Sequence, residues 1–511
     1  MTDTARQGRG RRLAVLFGAL GLLAACSSEP GEDAGPGPAS SAAPAGQAAS
    51  VCAKPPAGPA TAPAGAVTVD SAVPGDLTVK TKASPPGTTF WLNPGTHRLG
   101  DDRFDQVIPT DGDVFLGAPG AVLDGRKVNQ YAFTGHAKNV KIQYLTVRGF
   151  AAPRDEGVVN HDSGEGWILE HNLIQANDGA GMMAGAHQQV RANCLRKNGQ
   201  YGMNAFAEGN TITGLVVEGN EITGNNTGDW ERKVDGCGCT GGIKFWSVNG
   251  ADVRGNWVHD NRGVGLWADT NNNDFLIEGN LIEANDGAAI DYETSYNAVI
   301  SGNTIRRNNW VEGKAYVDRG DSFPLATIYL SESGGEPRIK ARTDKLEISG
   351  NVLQDNWSGI TLWENADRFC HSPANTSSGS CTRLVTDETQ CAQPGIASGP
   401  LHEDCRWKTQ RVDIHHNRFL LDPAVVGCQE TCARMGLLSN FGTYPDWSPY
   451  KGSAVQQAIT SKQGNRWHDN TYGGPWTFIV YETSRILGIG EWQGPPYQQD
   501  AGSTYSRTGG G

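Results

Sequence analysis

Residues 276–285 read LIEGNLIEAN, and this phrase recurs along most of the chain with apolar and polar residues in alternation. The other copies are ILEHNLIQAN from residue 168, VVEGNEITGN from 216, DVRGNWVHDN from 252, VISGNTIRRN from 299, EISGNVLQDN from 347 and DIHHNRFLLD from 413. Such alternation is the period of a half-buried strand. Undisturbed copies lie 21 to 27 residues apart. Short strands at a fixed period of this size predict a solenoid in which each coil buries its face on the next.

An asparagine recurs at one place in these phrases, where an inward-facing side chain is expected. One amide per coil, stacked along the axis, can donate to and accept from its neighbours, which satisfies buried polar groups without water. We therefore expect a structural ladder rather than a set of catalytic residues. Its members are Asn172, Asn193, Asn220, Asn256, Asn280, Asn303, Asn351 and Asn417.

The phrases resemble the repeat of the pectin-lyase-like superfamily, over residues of roughly 90 to 480. GTTFWLNPGTHRL (87–99) and GAPGAVLDG (117–125) are similar to the opening coils of such proteins. The resemblance implies an all-β fold, a right-handed parallel β-helix with loop insertions. It also implies three strands per coil, an Asn ladder between the second and third strands, and a substrate groove over the first.

The N-terminus has the pattern of an export signal, with arginines before the apolar run LAVLFGALGLL (13–23). Residues 23–26, LAAC, resemble a bacterial lipoprotein signal, which implies cleavage before Cys26 and lipidation of its thiol. An ordinary secretory signal is the alternative. The expected organisation is a signal peptide (1–25), an Ala/Pro/Gly/Ser-rich tether (26–65), the β-helix (66–495) with insertions near 224–241, 309–344, 366–411 and 423–463, and a flexible tail (496–511).

The chain has 11 cysteines, and an even number remains when Cys26 is set aside. In an exported protein this predicts disulfide bridges. The spacing of the CGC motif at 237–239 does not match a zinc site. Proximity in sequence favours three pairs: Cys370–Cys381, Cys391–Cys405 and Cys428–Cys432.

The formal net charge is −12, and no Lys/Arg cluster lies beyond the N-terminus, which argues against a nucleic-acid partner. We expect a monomer outside the cell, attached to the membrane only through its N-terminal lipid.

Outside the ladder phrases, segments such as GIKFW (242–246), GLWAD (265–269) and AIDYE (289–293) predict the first strand of each coil. Alternation places two columns of side chains on the outer face. The first column contains Lys244, Trp267, Asp291 and Tyr329, and the second contains Trp246, Asp269, Glu293, Ser331 and Trp363.

Asp269 and Glu293 are then expected to face each other at about 5 Å, the spacing of neighbouring strands. Opposed like charges destabilise a sheet and raise one pKa, so such a pair indicates a functional site. The outer face also carries four aromatic residues, which predict an exposed patch that binds sugar rings. The expected substrate-binding residues are Trp246, Trp267, Tyr329, Trp363 and Ser331. The alternative is that the acids are solvated charges and the insertions cover the tryptophans. His259, His415 and His416 lie in ladder phrases and are expected to be structural.

Three functions are compatible with this pattern. The first is a glycoside hydrolase, with Glu293 as acid/base and Asp269 as nucleophile or stabiliser. The second is a polysaccharide lyase, with Ca²⁺ on Asp269, Asp291 and Glu293 and with Lys244 as base. The third is a non-catalytic protein that binds glycan. The hydrolase is placed first, and it needs no cofactor; Ca²⁺ is expected only for a lyase.

Overall fold

The computed structural model describes residues 50–207, 209, 211–234, 238–364, 370, 381–428, 431–439, 462–481 and 484–507. The predicted signal peptide lies outside these residues, as do Cys26 and the first part of the tether (26–49). Residues 365–369, 371–380 and 440–461, nearly all of which belong to the last two predicted insertions, also lie outside them. No helix among the described residues is long and apolar enough to cross a membrane.

The described chain forms a right-handed parallel β-helix with three long sheets, as the sequence predicts. We call them sheets A, B and C, in the order in which one coil passes through them. Sheet A contains Gly157–Val159, Ala180–Met183, Tyr201–Ala205, Gly241–Trp246, Val264–Asp269, Ile290–Glu293, Ile328–Ser331, Ile360–Glu364, Arg434–Ser439, Thr477–Tyr481 and the antiparallel Ile486–Leu487.

Sheets B and C each have thirteen strands. Sheet B contains Val67–Val69, Thr89–Leu92, Val114–Gly117, Lys141–Gln143, Ile168–Glu170, Gln189–Arg191, Ile212–Glu218, Val248–Arg254, Asn273–Glu278, Tyr296–Ser301, Leu346–Ser349, Val412–His415 and Arg466–His468. Sheet C contains Gly95–His97, Ala121–Asp124, Thr146–Arg148, Leu173–Gln175, Cys194–Arg196, Glu221–Thr223, Trp257–His259, Leu281–Glu283, Thr304–Arg306, Val352–Gln354, Arg418–Leu420, Thr471–Gly473 and Thr504–Ser506.

Short helices lie at the ends of the solenoid and in its insertions. The α-helices are α1 (Asp76–Ala83), α2 (Trp230–Lys233), α3 (Trp310–Asp318), α4 (Pro423–Val426) and α5 (Ile489–Gln493), and the 3₁₀ helices are Val51–Ala53, Glu388–Ala392, Ile396–Ser398 and Pro400–Asp404. Helices α2 and α3 belong to the insertions predicted near 224–241 and 309–344.

The predicted Asn ladder is present between sheets B and C. Asn280 represents its geometry: its side-chain amide donates to Val253 O and to Asn303 Oδ1, both at 2.9 Å. Its own Oδ1 accepts from the backbone N–H and the amide of Asn256. The ladder continues past Asn417 to Asn470.

A second ladder, which was not predicted from the sequence, connects the turns between sheets C and A. It contains Asn177, Asn198, Asn225, Asn261, Asn285, Asn308 and Asn356. The buried amides of the two ladders hold successive coils in register along two of the three edges of the solenoid.

The boundaries predicted at both ends of the β-helix need correction. The tether does not extend to residue 65, because Cys52 is bonded to Cys194 of sheet C, and the amide N–H of Cys52 donates to Glu221. The predicted tail from 496 is also wrong in part, because Thr504–Ser506 pairs with Thr471–Gly473.

The C-terminal segment closes the first ladder. The fully buried carboxylate of Asp500 accepts hydrogen bonds from Asn470, Tyr472, Trp492 and Ser503. This end of the chain is therefore part of the packed solenoid.

Four disulfide bridges join described cysteines. Three of them are the expected pairs Cys370–Cys381, Cys391–Cys405 and Cys428–Cys432. The fourth, Cys52–Cys194, spans 142 residues of sequence. Bridges of this kind are characteristic of proteins that fold in an oxidising compartment.

Candidate functional site

The two outward columns of sheet A have the register that the sequence predicts. Lys244 pairs with Trp267, Trp267 with Asp291, and Asp291 with Tyr329. In the second column, Trp246 pairs with Asp269, Glu293 with Ser331, and Ser331 with Trp363. The inward neighbours, such as Ile243, Leu266 and Ile290, are at most 1% exposed. Because side chains alternate along a strand, the residues of the two columns point away from the core.

We call the outer face of sheet A that carries these two columns the wall, and the predicted exposure of its aromatic residues is wrong for part of it. Tyr329 and Trp363 are 7% and 5% exposed, because Phe323 of the insertion near 309–344 packs edge-on against both rings at 6.1 and 6.0 Å. Ser331 is fully buried, and its hydroxyl donates to Glu332. These three residues are therefore covered by the chain itself, as in the alternative considered from the sequence.

Trp246 remains partly exposed at the other side of the acids. It meets the ring of Phe206 edge to face at 6.4 Å, and Phe206 is 41% exposed. The apolar surface open to a ligand thus lies beside Trp246 and Phe206.

The centre of the wall contains an ion pair between Lys244 and Asp269. The ammonium Nζ lies 2.8 Å from Asp269 Oδ2 and 4.0 Å from the centre of the Trp267 ring. The other carboxylate oxygen of Asp269 accepts a hydrogen bond from the hydroxyl of Thr270. Both oxygens of Asp269 are therefore engaged, and Trp267 is 9% exposed with Lys244 over its ring.

Asp291 differs from Asp269 in its surroundings. Its Oδ1 is buried and has no hydrogen-bond partner among the described residues. Burial raises the pKa of Asp291 well above its usual range, and the nearby carboxylates of Glu293 and Asp269 raise it further, against the opposing effect of Lys244. The carboxyl of Asp291 therefore keeps its proton to a higher pH than an ordinary aspartic acid does.

Two residues near this cluster were not identified from the sequence. Tyr201 is 1% exposed, and its hydroxyl has no hydrogen-bond partner within the described chain. Burial raises its pKa well above 10, and Asp155, Glu231 and Asp269 add to this effect. Tyr201 begins its strand of sheet A, three residues before the outward Asn204, so an aromatic residue at the start of a first strand was the available signal.

Glu312 on α3 is the second such residue. Burial, with contributions from Glu231 and Asp286, raises its pKa to about 7, and its charge also raises the pKa of Asp291. The helix that holds Glu312 interrupts the repeat, so no periodic pattern relates it to the coil on which it packs.

The three acids do not form a compact cation site in this structure. Among the described residues, two groups of three bring possible ligand atoms within 4.8 Å of one another, and Asp269, Asp291 and Glu293 are not one of them. A Ca²⁺ ion bound by all three would require these side chains to move together.

The cluster therefore combines a buried acid that retains its proton, a carboxylate held by a lysine, and a further carboxylate, Glu293. Such a set can donate a proton on one side of a bond while a carboxylate acts on the other. It can also place a cation and a neutral acid beside an anionic substrate.

The comparisons with known proteins agree with the fold. The family model for the right-handed β-helix region matches residues 158–369. None of the curated proteins matches the chain.

Solved structures with similar architecture include the A-module of mannuronan C-5 epimerase AlgE6 from Azotobacter vinelandii (14% identity, TM-score 0.43, 85% of this chain and 93% of that one). The periplasmic alginate epimerase AlgG has 13% identity and a TM-score of 0.38, over 75% of this chain and 81% of that one. DFA-IIIase from Arthrobacter chlorophenolicus A6 has 11% identity and a TM-score of 0.27, over 79% and 80%. At these identities and scores, the similarities bear on neither substrate nor reaction.

Proposed function

We propose that this protein is a glycan-processing enzyme that hydrolyses glycosidic bonds at the cluster of Lys244, Asp269, Asp291 and Glu293. The observation that carries the proposal is the buried carboxyl of Asp291, whose pKa is raised and whose Oδ1 lacks a partner among the described residues. Glycoside hydrolysis needs a proton donor of this kind beside a second carboxylate.

The surroundings of each acid support a division of roles. Asp291 is the proton donor, since its raised pKa favours the protonated form. Glu293, two residues along the same strand, is the second carboxylate and acts as nucleophile or base. Asp269, with both oxygens engaged, positions Lys244 and stabilises positive charge in the transition state. The assignment of acid/base chemistry to Glu293 alone, which the sequence favoured, is replaced by this division.

The substrate class follows from the accessible part of the wall. Trp246 and Phe206 offer aromatic faces at the open side of the cluster. The apolar C–H faces of sugar rings pack on such rings, while their hydroxyls bond to carboxylates. A glycan chain entering beside these two residues would place one linkage over the acids.

A polysaccharide lyase is the second candidate, and Lys244 is the observation that favours it. An ammonium group and a protonated Asp291 on one wall could together neutralise the carboxylate of a uronate, which lowers the barrier to removal of the adjacent proton. Ca²⁺ is an alternative neutralising group, with the three acids as ligands.

We also infer that the protein works outside the cell, as a monomer held to the membrane by a lipid on Cys26. The disulfide bridges support export. Since Cys52 is bonded to sheet C, the tether in this proposal comprises residues 26–49.

The test uses the full chain on a panel of neutral and uronate polysaccharides, with and without EDTA. New reducing ends without a double bond support hydrolysis, whereas an unsaturated product supports a lyase. Activity should fall by about 10²–10⁴-fold in Asp291→Asn. Glu278→Gln, which changes an exposed carboxylate on the outer face of sheet B, is the matched control and should retain activity. Glycan binding that survives Asp291→Asn, with no product from any substrate, would contradict an enzymatic role.

A further inference from the structure

A second cluster of chemically active side chains lies on the outer face of sheet B, on three successive coils. His415 pairs with His468 on the next strand, and Glu347 pairs with Asp413 one coil earlier. The two imidazoles stack with their centres 4.9 Å apart. One possible ligand atom from each of Asp413, His415 and His468 lies within 4.8 Å of those of the other two.

The hydrogen bonds of the two imidazoles orient their rings in the same sense. His468 uses Nδ1 toward Asp469 Oδ2 at 2.7 Å and Nε2 toward Asp413 Oδ1 at 3.0 Å. His415 uses Nδ1 toward His416 Nδ1 at 2.8 Å, and its Nε2 lies 3.5 Å from Glu347 Oε1. Each Nδ1 therefore has a polar partner, while each Nε2 is directed at a carboxylate oxygen.

Two stacked imidazoles with their Nε2 atoms directed at neighbouring carboxylates can also hold a metal ion. A ligating imidazole usually donates its other N–H to a carboxylate or another acceptor, which fixes the ring and makes the ligating nitrogen more basic. Imidazole nitrogens together with carboxylate oxygens suit Zn²⁺ and its first-row neighbours. Neighbouring strands also supply a rigid frame, because their separation is set by the backbone hydrogen bonds of the sheet and not by the outward side chains.

We propose that His415, His468 and Asp413 bind one divalent transition-metal ion, such as Zn²⁺, with Glu347 within reach as a fourth ligand. The ion lies between the Nε2 atoms and Asp413 Oδ1, replacing the hydrogen bond between His468 and Asp413. Lys345 contacts the other oxygen of Asp413, Oδ2, at 3.0 Å, so it can remain in place and orient that carboxylate.

The location gives this site a role in the fold. The strands Leu346–Ser349, Val412–His415 and Arg466–His468 are neighbours in sheet B, but long insertions separate them in sequence. A metal ion shared by three such strands ties the coils together on both sides of those insertions. The inference is independent of the chemistry proposed for sheet A.

The experiment measures Zn²⁺ bound to the full chain by equilibrium dialysis and metal analysis, after treatment with EDTA and removal of the chelator. We expect one ion per chain with a Kd of about 1 μM or tighter. His415→Ala and His468→Ala should weaken binding at least tenfold. Asp469→Asn keeps every proposed ligand and should weaken it by about 10–100-fold.

His259→Ala is the matched control. Its imidazole also lies between two carboxylates, 3.3 Å from Glu221 and 2.6 Å from Asp260, but no second histidine of the described chain stacks on it. Binding in this variant should equal that of the unsubstituted protein. The proposal is overturned if no site tighter than about 100 μM is found, or if one persists unchanged in both His415→Ala and Asp469→Asn. If His468→Ala does not fold, His415→Ala and Asp469→Asn still decide between the two outcomes.

Discussion

Replacement of Asp291 by Asn should stabilise the folded protein while it removes the proposed proton donor. In the folded state, burial and two neighbouring carboxylates raise the pKa of Asp291 well above its ordinary value of 3.8. In the unfolded chain, the same carboxyl is solvated and ionises near that ordinary value. The folded protein therefore holds a proton that the unfolded chain releases, and this difference makes stability depend on pH.

The sign and size of the effect follow from this difference. Below about pH 3.9 both states are protonated, and Asp291 contributes no penalty. Above that pH the free energy of unfolding falls, because the unfolded chain loses its proton while the folded protein does not. The decrease amounts to about 1.4 kcal/mol per pH unit, and it ends when pH reaches the folded pKa. An asparagine side chain cannot ionise, so the substituted protein escapes this penalty.

Urea denaturation of both proteins at steps from pH 4.5 to 8 measures the difference directly. The free energy of unfolding of Asp291→Asn, relative to the unsubstituted protein, should rise with pH at up to about 1.4 kcal/mol per unit. Glu278→Gln, at an exposed position, should give a difference that does not change with pH. A pH-independent difference for Asp291→Asn, or one that favours the unsubstituted protein as pH rises, would refute a buried proton at this position.

Three other predictions test the ion pair, the ladder and the long-range disulfide. Lys244→Met should cost about 3–5 kcal/mol of stability by leaving a buried carboxylate unpaired, and adding Asp269→Asn should recover most of this loss in the same urea assay. Asn280→Ala removes four hydrogen bonds and should cost about 4 kcal/mol, so a loss below about 1 kcal/mol would contradict the structural role of the ladder. Replacing Cys52 and Cys194 by Ser opens a loop of 142 residues and should cost about 3–5 kcal/mol, with faster proteolysis near residue 52 as a second readout.

The register of the fold was predictable because it depends on local alternation. In each first strand the inward apolar residues fix which neighbours face outward, so the pairing of Trp267 with Asp291 follows from the sequence alone. The second ladder was also predictable from the repeat. Asn177 and Asn285 occupy the last position of their phrases, just as Asn172 and Asn280 occupy the fifth. The stacking argument made for Asn172 and Asn280 applies equally to this second ladder.

The covering of the wall was not predictable by the same reasoning. Phe323 lies in an insertion without periodicity, so nothing in the repeat indicates that its ring packs on Tyr329 and Trp363. The Cys52–Cys194 bridge is a second case. The composition around Cys52 shows that the segment cannot form its own core. It does not show that Cys52 is joined by a disulfide to Cys194 of sheet C.

The ladders explain why the strand register is kept across these insertions, although the insertions differ in which residues of the wall they cover. Asn303 and Asn351 are 48 residues apart in sequence, with α3 between them, and yet their amides meet at 2.9 Å as closely as in undisturbed coils. The coil is thus closed by buried hydrogen bonds that do not involve the inserted chain. The spacing of Lys244, Trp267 and Asp291 is set by that closure, whereas the covering of the neighbouring Tyr329 and Trp363 is set by Phe323 of an insertion. The positions of the cluster residues are therefore encoded by the periodic part of the sequence, whereas the covering of the site and the influence of Glu312 on Asp291 come from insertions that have no period.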